Sequence, residues 1–225
     1  MAWRDWVRTV EIEPSLYAAD FSRLGEQVET LLRTGARIFH FDVGDGHFVP
    51  PVTMGPIVLK SISQLILDQQ GSIDCHLMVE NPERHFEAIR EAGGSSVTFH
   101  HEAVEDPRSV AALARAQGLG VGLAFNPETS PEDAAAAADG FDLVLCMSIH
   151  PGYSGQDFMP DAIGRIRTLR RLLPEETFIQ VDGGVGPENA RELYLSGARL
   201  LVAGTSIFGR EDLPRSYRRL VQELA

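Results

Sequence analysis

The amino-acid sequence predicts a single-domain (β/α)8 barrel, the TIM barrel fold, over residues 1–225. Eight short apolar runs alternate with eight segments of helical periodicity, at a nearly constant spacing. Strict alternation indicates a parallel sheet, and eight repeats in a chain of this length indicate that the sheet closes. The alternative, a doubly wound open sheet, lacks the glycine-rich fingerprint expected after its first strand. Residues 1–9 are expected to form a short leader before the barrel.

Each expected element has its own start and stop signals. The strands are apolar runs at residues 10–15, 37–43, 72–79, 95–100, 120–125, 141–149, 177–182 and 199–203. The helices have apolar residues at helical spacing and cover residues 21–32, 56–67, 82–92, 107–117, 131–138, 160–173, 187–196 and 213–224. Capping residues with first-turn prolines start several helices, as at Asn81-Pro82, Asp106-Pro107 and Ser130-Pro131, and glycines such as Gly35 end them.

The composition is that of a globular enzyme, with 44% hydrophobic and 23% charged residues. A net charge of −12 argues against a nucleic acid or an anionic membrane as partner. No apolar run approaches the ~18 residues of a membrane span, and the N-terminal segment lacks the apolar core of a secretory signal. Cys75 and Cys146 lie in apolar runs without a paired spacing, so we expect reduced core thiols and a cytoplasmic location.

The segment HFDVGDGHFVP at residues 40–50 places polar groups where an apolar strand runs into a loop. Alternate side chains of a strand share a face, so Ile38, His40 and Asp42 point one way and the intervening apolar residues the other. Taken alone, the pair is explained equally well as a polar strand end satisfied by neighbouring backbone. Barrel active sites form at the carboxyl ends of strands, so the polar residues at other strand ends bear on the choice.

Two other strand ends add side chains of the same kind. Asp74 and His76 share a face of the third strand, and Asp182 ends the seventh strand directly before two glycines. The four residues expected to converge at one rim are His40, Asp42, His76 and Asp182. Two imidazoles and two carboxylates suit a divalent metal, for which Zn²⁺ is the first candidate and Fe²⁺, Mn²⁺ and Co²⁺ stay open. His100 is expected to line the pocket or to hydrogen-bond within its loop, and Glu13 has no evident partner.

Small residues fill the loops after the last three strands, at residues 151–155, Gly183-Gly184 and Gly204-Thr205. Glycines there let backbone N–H groups approach a ligand, and the loops after strands seven and eight of such barrels commonly bind phosphate. A tight turn explains any one of these loops better, but the three together favour a phosphate cradle built without lysine. Lys60, the only lysine, falls in a helical pattern, which argues against a Schiff-base aldolase.

These stretches together resemble the ribulose-phosphate 3-epimerase family. The matching pieces run in family order and spacing from residue 14 to about residue 208: PSL at 14–16, ADF at 19–21, HFDVGDGHFVP at 40–50, GP at 55–56, CHLMVENPER at 75–84, HPGYSGQDF at 150–158, VDGG at 181–184 and AGTSIF at 203–208. The resemblance implies that the rim residues named above are metal ligands and that Asp42 and Asp182 are the acid/base pair. It implies substrate contacts at Ser15, His76, Gly152, Tyr153, Ser154, Gly155, Gly183, Gly184, Gly204 and Thr205.

The function implied by the resemblance is that of a metal-dependent isomerase. It would invert carbon 3 of a ketose phosphate, D-ribulose 5-phosphate to D-xylulose 5-phosphate in the pentose phosphate pathway, through an enediolate and without an organic cofactor. The implied partners are a small sugar phosphate and further copies of the chain in a homo-oligomer.

The chain departs from the family pattern around the pocket. Gly44 stands where the family has methionine, which predicts a gap over the metal, and Tyr17, Glu13 and Pro51 are also unusual. These departures leave the sugar open, so an epimerase of the same family acting on another ketose phosphate, such as allulose 6-phosphate, is one alternative. A non-catalytic sugar-phosphate-binding barrel protein is the alternative of a different class.

Overall fold

The computed structural model describes residues 3–7 and 9–224, and within them eight parallel strands form one sheet. The strands are β1 (Glu11–Pro14), β2 (Ile38–Gly44), β3 (Ser72–Met78), β4 (Ser96–His100), β5 (Gly120–Phe125), β6 (Leu143–Met147), β7 (Phe178–Asp182) and β8 (Leu200–Ala203). From β2 to β8 each strand pairs with the next along the chain, and β8 pairs with β1. A parallel bridge between Ser15, which directly follows β1, and His40 within β2 closes the sheet. The predicted (β/α)8 barrel is confirmed.

Helices surround the strands in the expected alternation. They are α1 (Trp3–Trp6), α2 (Leu24–Thr34), α3 (Pro56–Leu67), α4 (Phe86–Glu91), α5 (Pro107–Ala116), α6 (Pro131–Ala137), α7 (Asp161–Leu172), α8 (Ala190–Ser196), α9 (Thr205–Phe208) and α10 (Leu213–Glu223). Short 3₁₀ turns cover Leu16–Ala18, Phe21–Arg23, Pro82–His85 and His101–Ala103. Among the helices described, none combines the length and apolar character needed to cross a bilayer.

Local sequence signals predicted some helix ends correctly and others incorrectly. Asp106 and Ser130 cap α5 and α6 through their side chains, as predicted. The expected cap at Asn81 is wrong, because Asn81 adopts a left-handed conformation with φ of 53° and its side chain makes no cap bond. The chain therefore continues as the 3₁₀ turn Pro82–His85, and α4 begins only at Phe86. Likewise α8 begins at Ala190, three residues after the expected start at Pro187.

The core has two layers, one outside and one inside the sheet. Outward strand residues such as Phe39, Phe41 and Phe99 are fully buried between the barrel and its helices. Inside the barrel, a second apolar cluster contains Ile38, Leu143, Leu145 and Leu200. This division follows from the alternation of side chains along each strand.

Helix α1 closes the amino-terminal end of the barrel, within the segment expected as a leader. Trp3 is 1% exposed and belongs with Val7 to the inner apolar cluster. Its indole lies so close to Gly120, at the start of β5, that a Cβ at Gly120 would come within 3.0 Å of the indole nitrogen. The inside of the barrel is thus apolar at its base, and its polar side chains lie nearer the opposite end, where the strands finish.

Candidate active site

The structure brings the four rim residues together at the carboxyl ends of β2, β3 and β7. One ligand atom from each of His40, Asp42, His76 and Asp182 lies within 4.8 Å of those of the other three. Asp42 Oδ1 is 3.3 Å from His40 Nε2 and 3.2 Å from His76 Nδ1. Strand register causes the convergence, since Asp42 pairs with His76 across β2 and β3. Asp182 reaches the same point from β7, with Oδ2 3.9 Å from His76 Nδ1.

The donor set and its burial fit a divalent cation. His40 is fully buried, and within the described residues neither of its ring nitrogens has a correctly aligned hydrogen-bond partner. Its nitrogens lie 3.3 to 3.7 Å from carboxylate oxygens, near enough for attraction but too poorly aligned for a hydrogen bond. Buried polar atoms are normally paired, and two imidazoles beside two carboxylates are ligands that metals of the zinc type prefer.

The two aspartates differ in their proton affinity. Burial opposes ionisation of Asp42, but the adjacent His40 and His76 outweigh it and hold the pKa of Asp42 well below its ordinary value. Burial and the nearby charge of Asp42 raise the pKa of Asp182 to about 7. A carboxylate that stays ionised therefore lies beside one that can carry a proton near neutrality, which is the arrangement that acid/base catalysis uses.

The loop after β2 folds back over the strand end and fixes Asp42. The Thr53 hydroxyl donates to the main-chain oxygen of Asp42 at 2.8 Å and accepts from the N–H of Gly44 at 2.6 Å. A Cβ at Gly44 would lie 2.9 Å from the Pro51 carbonyl oxygen and 3.0 Å from Val49 Cγ2. The expected gap above Gly44 is therefore wrong, because the chain's own loop fills that space.

All the residues expected to contact substrate, apart from the deeper His76, line one cavity of about 970 Å³ above the aspartates. They are Ser15, Gly152, Tyr153, Ser154, Gly155, Gly183, Gly184, Gly204 and Thr205, with Tyr17 beside them. The Ser15 hydroxyl donates to Asp42 Oδ2 at 2.7 Å, so it also holds the carboxylate. Gly184 has φ of +62°, and an added Cβ would lie 2.6 Å from the Phe158 nitrogen, which makes glycine necessary there.

The structure refines the expectation that His100 lines the pocket or hydrogen-bonds within its loop, and it shows one feature that the sequence analysis missed. His100 Nε2 lies 2.8 Å from His76 Nε2, and its other nitrogen lies 3.4 Å from Glu102 Oε2, so His100 supports a rim residue. A histidine and a glutamate two residues apart at a strand end were the available signal. Arginines also line the outer part of the cavity, although the glycine loops themselves contain none; these are Arg210, Arg215 and Arg219.

Fold and site together define a barrel protein with a candidate metal centre and glycine-rich loops at the carboxyl end of its sheet. The chain belongs to the ribulose-phosphate 3-epimerase family, whose model, described as "Ribulose-phosphate 3 epimerase family", matches residues 11–208. It is 39% identical over 216 residues to the ribulose-phosphate 3-epimerase of Escherichia coli (strain K12), covering 95% of this chain and 93% of that protein. The same enzyme of Bacillus subtilis (strain 168) is 35% identical over 207 residues, covering 90% and 94%.

More distant solved structures share the fold. A 3-hexulose-6-phosphate synthase matches with a TM-score of 0.75 at 16% identity, covering 96% of this chain and 100% of that one. The orotidine 5'-phosphate decarboxylase of Pyrococcus horikoshii matches with a TM-score of 0.70 at 13% identity, covering 95% and 98%. At such identities the likeness is one of architecture.

Proposed function

We propose that the protein is an isomerase that inverts carbon 3 of D-ribulose 5-phosphate to give D-xylulose 5-phosphate, as the names of its relatives suggest. One observation carries the proposal: Asp42 and Asp182 come from different strands, meet at the floor of one cavity and differ widely in pKa. Two such groups, one on each side of the substrate, can remove a proton from one face of a carbon and return one to the other face.

In the proposed mechanism, ionised Asp42 accepts the proton from carbon 3, which is acidified by the neighbouring carbonyl group. The substrate passes through an enediolate, and protonated Asp182 delivers a proton to the opposite face. Exchange with water then restores the starting protonation, and the reverse reaction uses the two groups in the opposite order. Burial and the charge of Asp42 raise the pKa of Asp182, which favours a protonated Asp182 beside an ionised Asp42.

A divalent metal is part of the proposal, with His40, Asp42, His76 and Asp182 as its ligands. When bound, such an ion supplies Lewis-acid stabilisation of negative charge on substrate oxygens. The nitrogen and oxygen donors favour Zn²⁺, and Fe²⁺, Mn²⁺ or Co²⁺ would suit the same set. No organic cofactor is needed, because the proton transfers are carried out by side chains.

The phosphate group is proposed to bind at the glycine loops, through main-chain N–H groups. Gly183, Gly184 and Gly204 line the cavity on the side of β7 and β8, where barrels commonly hold phosphate. Homo-oligomeric assembly, a cytoplasmic location and a role in the pentose phosphate pathway stay predictions.

A longer ketose phosphate, such as allulose 6-phosphate, is the second candidate substrate. The observation that favours it is the cavity itself, whose volume of about 970 Å³ lies at the upper end of ligand pockets and is ample for an extra carbon. A non-catalytic sugar-phosphate-binding protein would have no need of the paired aspartates.

The test is to incubate the metal-loaded protein with a panel of ketose phosphates in D₂O and to follow carbon-3 deuteration and epimer formation by NMR. We expect ribulose 5-phosphate to react fastest and the Asp182→Asn variant to lower interconversion about 10²- to 10⁴-fold. Binding without deuterium exchange for every sugar would instead establish the non-catalytic alternative. A faster reaction of the six-carbon substrate would replace the first candidate by the second.

A further inference from the structure

A second group of buried polar residues lies inside the barrel, on the side of His40 that faces away from the cavity. Glu13, Asp74 and Gln180 join His40 there, and each of the four is 0% exposed. His40 Nε2 faces Asp42, whereas Nδ1 lies 3.7 Å from Glu13 Oε2 and 3.5 Å from Asp74 Oδ2. Nδ1 therefore faces two carboxylates below the ring, those of Glu13 and Asp74, and Nε2 faces the carboxylate of Asp42 at the rim.

The two lower carboxylates are not equally occupied by donors. Asp74 accepts from the Ser96 hydroxyl at 2.8 Å, the Thr98 hydroxyl at 3.0 Å and the Gln180 amide at 3.0 Å. Glu13 accepts from the same Gln180 amide at 2.6 Å, and within the described residues its Oε1 has no hydrogen-bond partner. Glu13 therefore has one unpaired oxygen, whereas both oxygens of Asp74 already accept hydrogen bonds. The Glu13 oxygen nearest to His40 is Oε2, which accepts only from Gln180 and can accept a second hydrogen bond.

We infer that Glu13 is a positioning residue for the metal centre: it accepts a hydrogen bond from His40 Nδ1, which fixes the tautomer that presents Nε2 to the cation. This inference rests on the metal site of the proposed function. A metal-binding histidine commonly donates its second N–H to a carboxylate, and that contact orients the ring and strengthens the ligand. The inferred bond requires one of the two side chains to rotate, because the 3.7 Å separation exceeds hydrogen-bond length.

The competing explanation is that Glu13, His40 and Asp74 hold a second cation of their own, since their ligand atoms also lie within 4.8 Å of one another. Two observations oppose it. The Gln180 amide already donates to both carboxylates. None of the three candidate ligands lines the cavity, whereas Asp42 and Asp182 of the rim site do.

The experiment measures metal binding by the full-length chain and by its Glu13→Gln and Glu13→Ala variants. Zn²⁺ affinity is obtained by competition with a chromophoric chelator, stoichiometry by elemental analysis, and ligand geometry from the visible absorption of the Co²⁺-loaded protein. Asp142→Asn is the matched control, because Asp142 is a carboxylate that accepts a hydrogen bond from the N–H of Val121, at the opposite end of the barrel.

We expect Glu13→Gln, which keeps the size of the side chain, to weaken Zn²⁺ binding roughly 10- to 100-fold and to alter the Co²⁺ spectrum. The Tm of its metal-free form should not fall, and Asp142→Asn should keep wild-type affinity. Glu13→Ala should weaken binding at least as much. The inference would be overturned if Glu13→Gln kept the Zn²⁺ affinity and the Co²⁺ spectrum of the wild type. It would also be overturned if the wild-type chain bound two ions and the variant lost one of them, because Glu13 would then be a ligand of a second cation. A wild-type chain that binds no ion would refute the metal site itself, and the role of Glu13 with it.

Discussion

Replacing Gly184 by alanine tests whether the phosphate group binds at the glycine loops. Gly184 has φ of +62°, a conformation that disfavours any residue with a Cβ by about 1–2 kcal/mol. The added Cβ would also lie 2.6 Å from the nitrogen and 2.7 Å from the Cα of Phe158. Ordinary contact begins at 3.4 Å, so the loop that follows β6 must move by about 0.8 Å.

That movement is transmitted to Asp182, a proposed catalytic residue, because the loops after β6 and β7 are hydrogen-bonded to each other. The Ser148 hydroxyl donates to the carbonyl oxygens of Asp182 and Gly183, and the Met159 N–H donates to the carbonyl of Ser148. Displacements near 1 Å at a reacting centre can lower rates about 10²-fold. We therefore expect kcat/KM of Gly184→Ala to fall about 10²-fold: KM should rise because the N–H groups proposed to bind phosphate move, and kcat should fall because Asp182 moves with them.

The assay is steady-state epimerisation, with Tm measured in parallel. Gly140→Ala is the control, because Gly140 has φ of +82° but nothing within 4 Å of an added Cβ. It should lose the same 1–2 kcal/mol of stability and keep its kcat/KM. Arg219→Ala tests the competing anion site at the outer cavity and should change KM less than Gly184→Ala does. An unchanged KM in Gly184→Ala, or a larger rise in Arg219→Ala, would refute the proposed phosphate position.

Three further predictions follow from the site and the core. Asp42→Asn and Asp182→Asn should each lower interconversion of the epimers about 10²- to 10⁴-fold, while deuterium still exchanges into the one epimer served by the remaining aspartate. Metal content is measured alongside, and a variant that keeps its metal and nearly full activity would exclude the two-base mechanism. Gly44→Met should overpack the loop after β2, which lowers the free energy of unfolding by about 1–3 kcal/mol and reduces activity on every sugar. A changed sugar preference without a loss of stability would show that the space above Gly44 is open. Burial raises the pKa of Cys146 to about 11 and that of Cys75 well above its ordinary value. Neither thiol should therefore react with a disulfide reagent at pH 8 until the chain unfolds, and rapid reaction of either thiol in the folded protein would contradict this.

The barrel and the convergence of the rim residues were accessible from sequence because both depend on simple periodicities. Alternation along a strand assigns His40 and Asp42 to one face, and a parallel sheet brings all the carboxyl ends of its strands to one rim. The metal-type cluster follows from these two rules without knowledge of any distance. The difference in pKa between Asp42 and Asp182 cannot be predicted from these rules, because it depends on which imidazole each carboxylate contacts.

The features that sequence analysis missed depend on contacts between distant segments or on loop conformation. Glu13 and Gln180 are 167 residues apart in the chain, and no local pattern pairs them. The gap expected above Gly44 is absent because Thr53 bonds to the strand end and draws its loop across it. Capping rules failed at Asn81 for a similar reason, since its left-handed conformation removes the side chain from the helix start.

The barrel interior explains how the chain tolerates so many buried polar groups near one rim. Burying a carboxylate or an imidazole is unfavourable unless it is paired, and the inner polar group pairs most of its atoms through Gln180, Ser96 and Thr98. The apolar base around Trp3 contributes the compensating burial at the other end. Within the described residues, the unpaired atoms of this region include Glu13 Oε1, Gln180 Oε1 and both nitrogens of His40. A cation at the rim would satisfy Nε2 of His40, and the proposed hydrogen bond to Glu13 would satisfy Nδ1, which links the stability of the upper barrel to occupancy of the site.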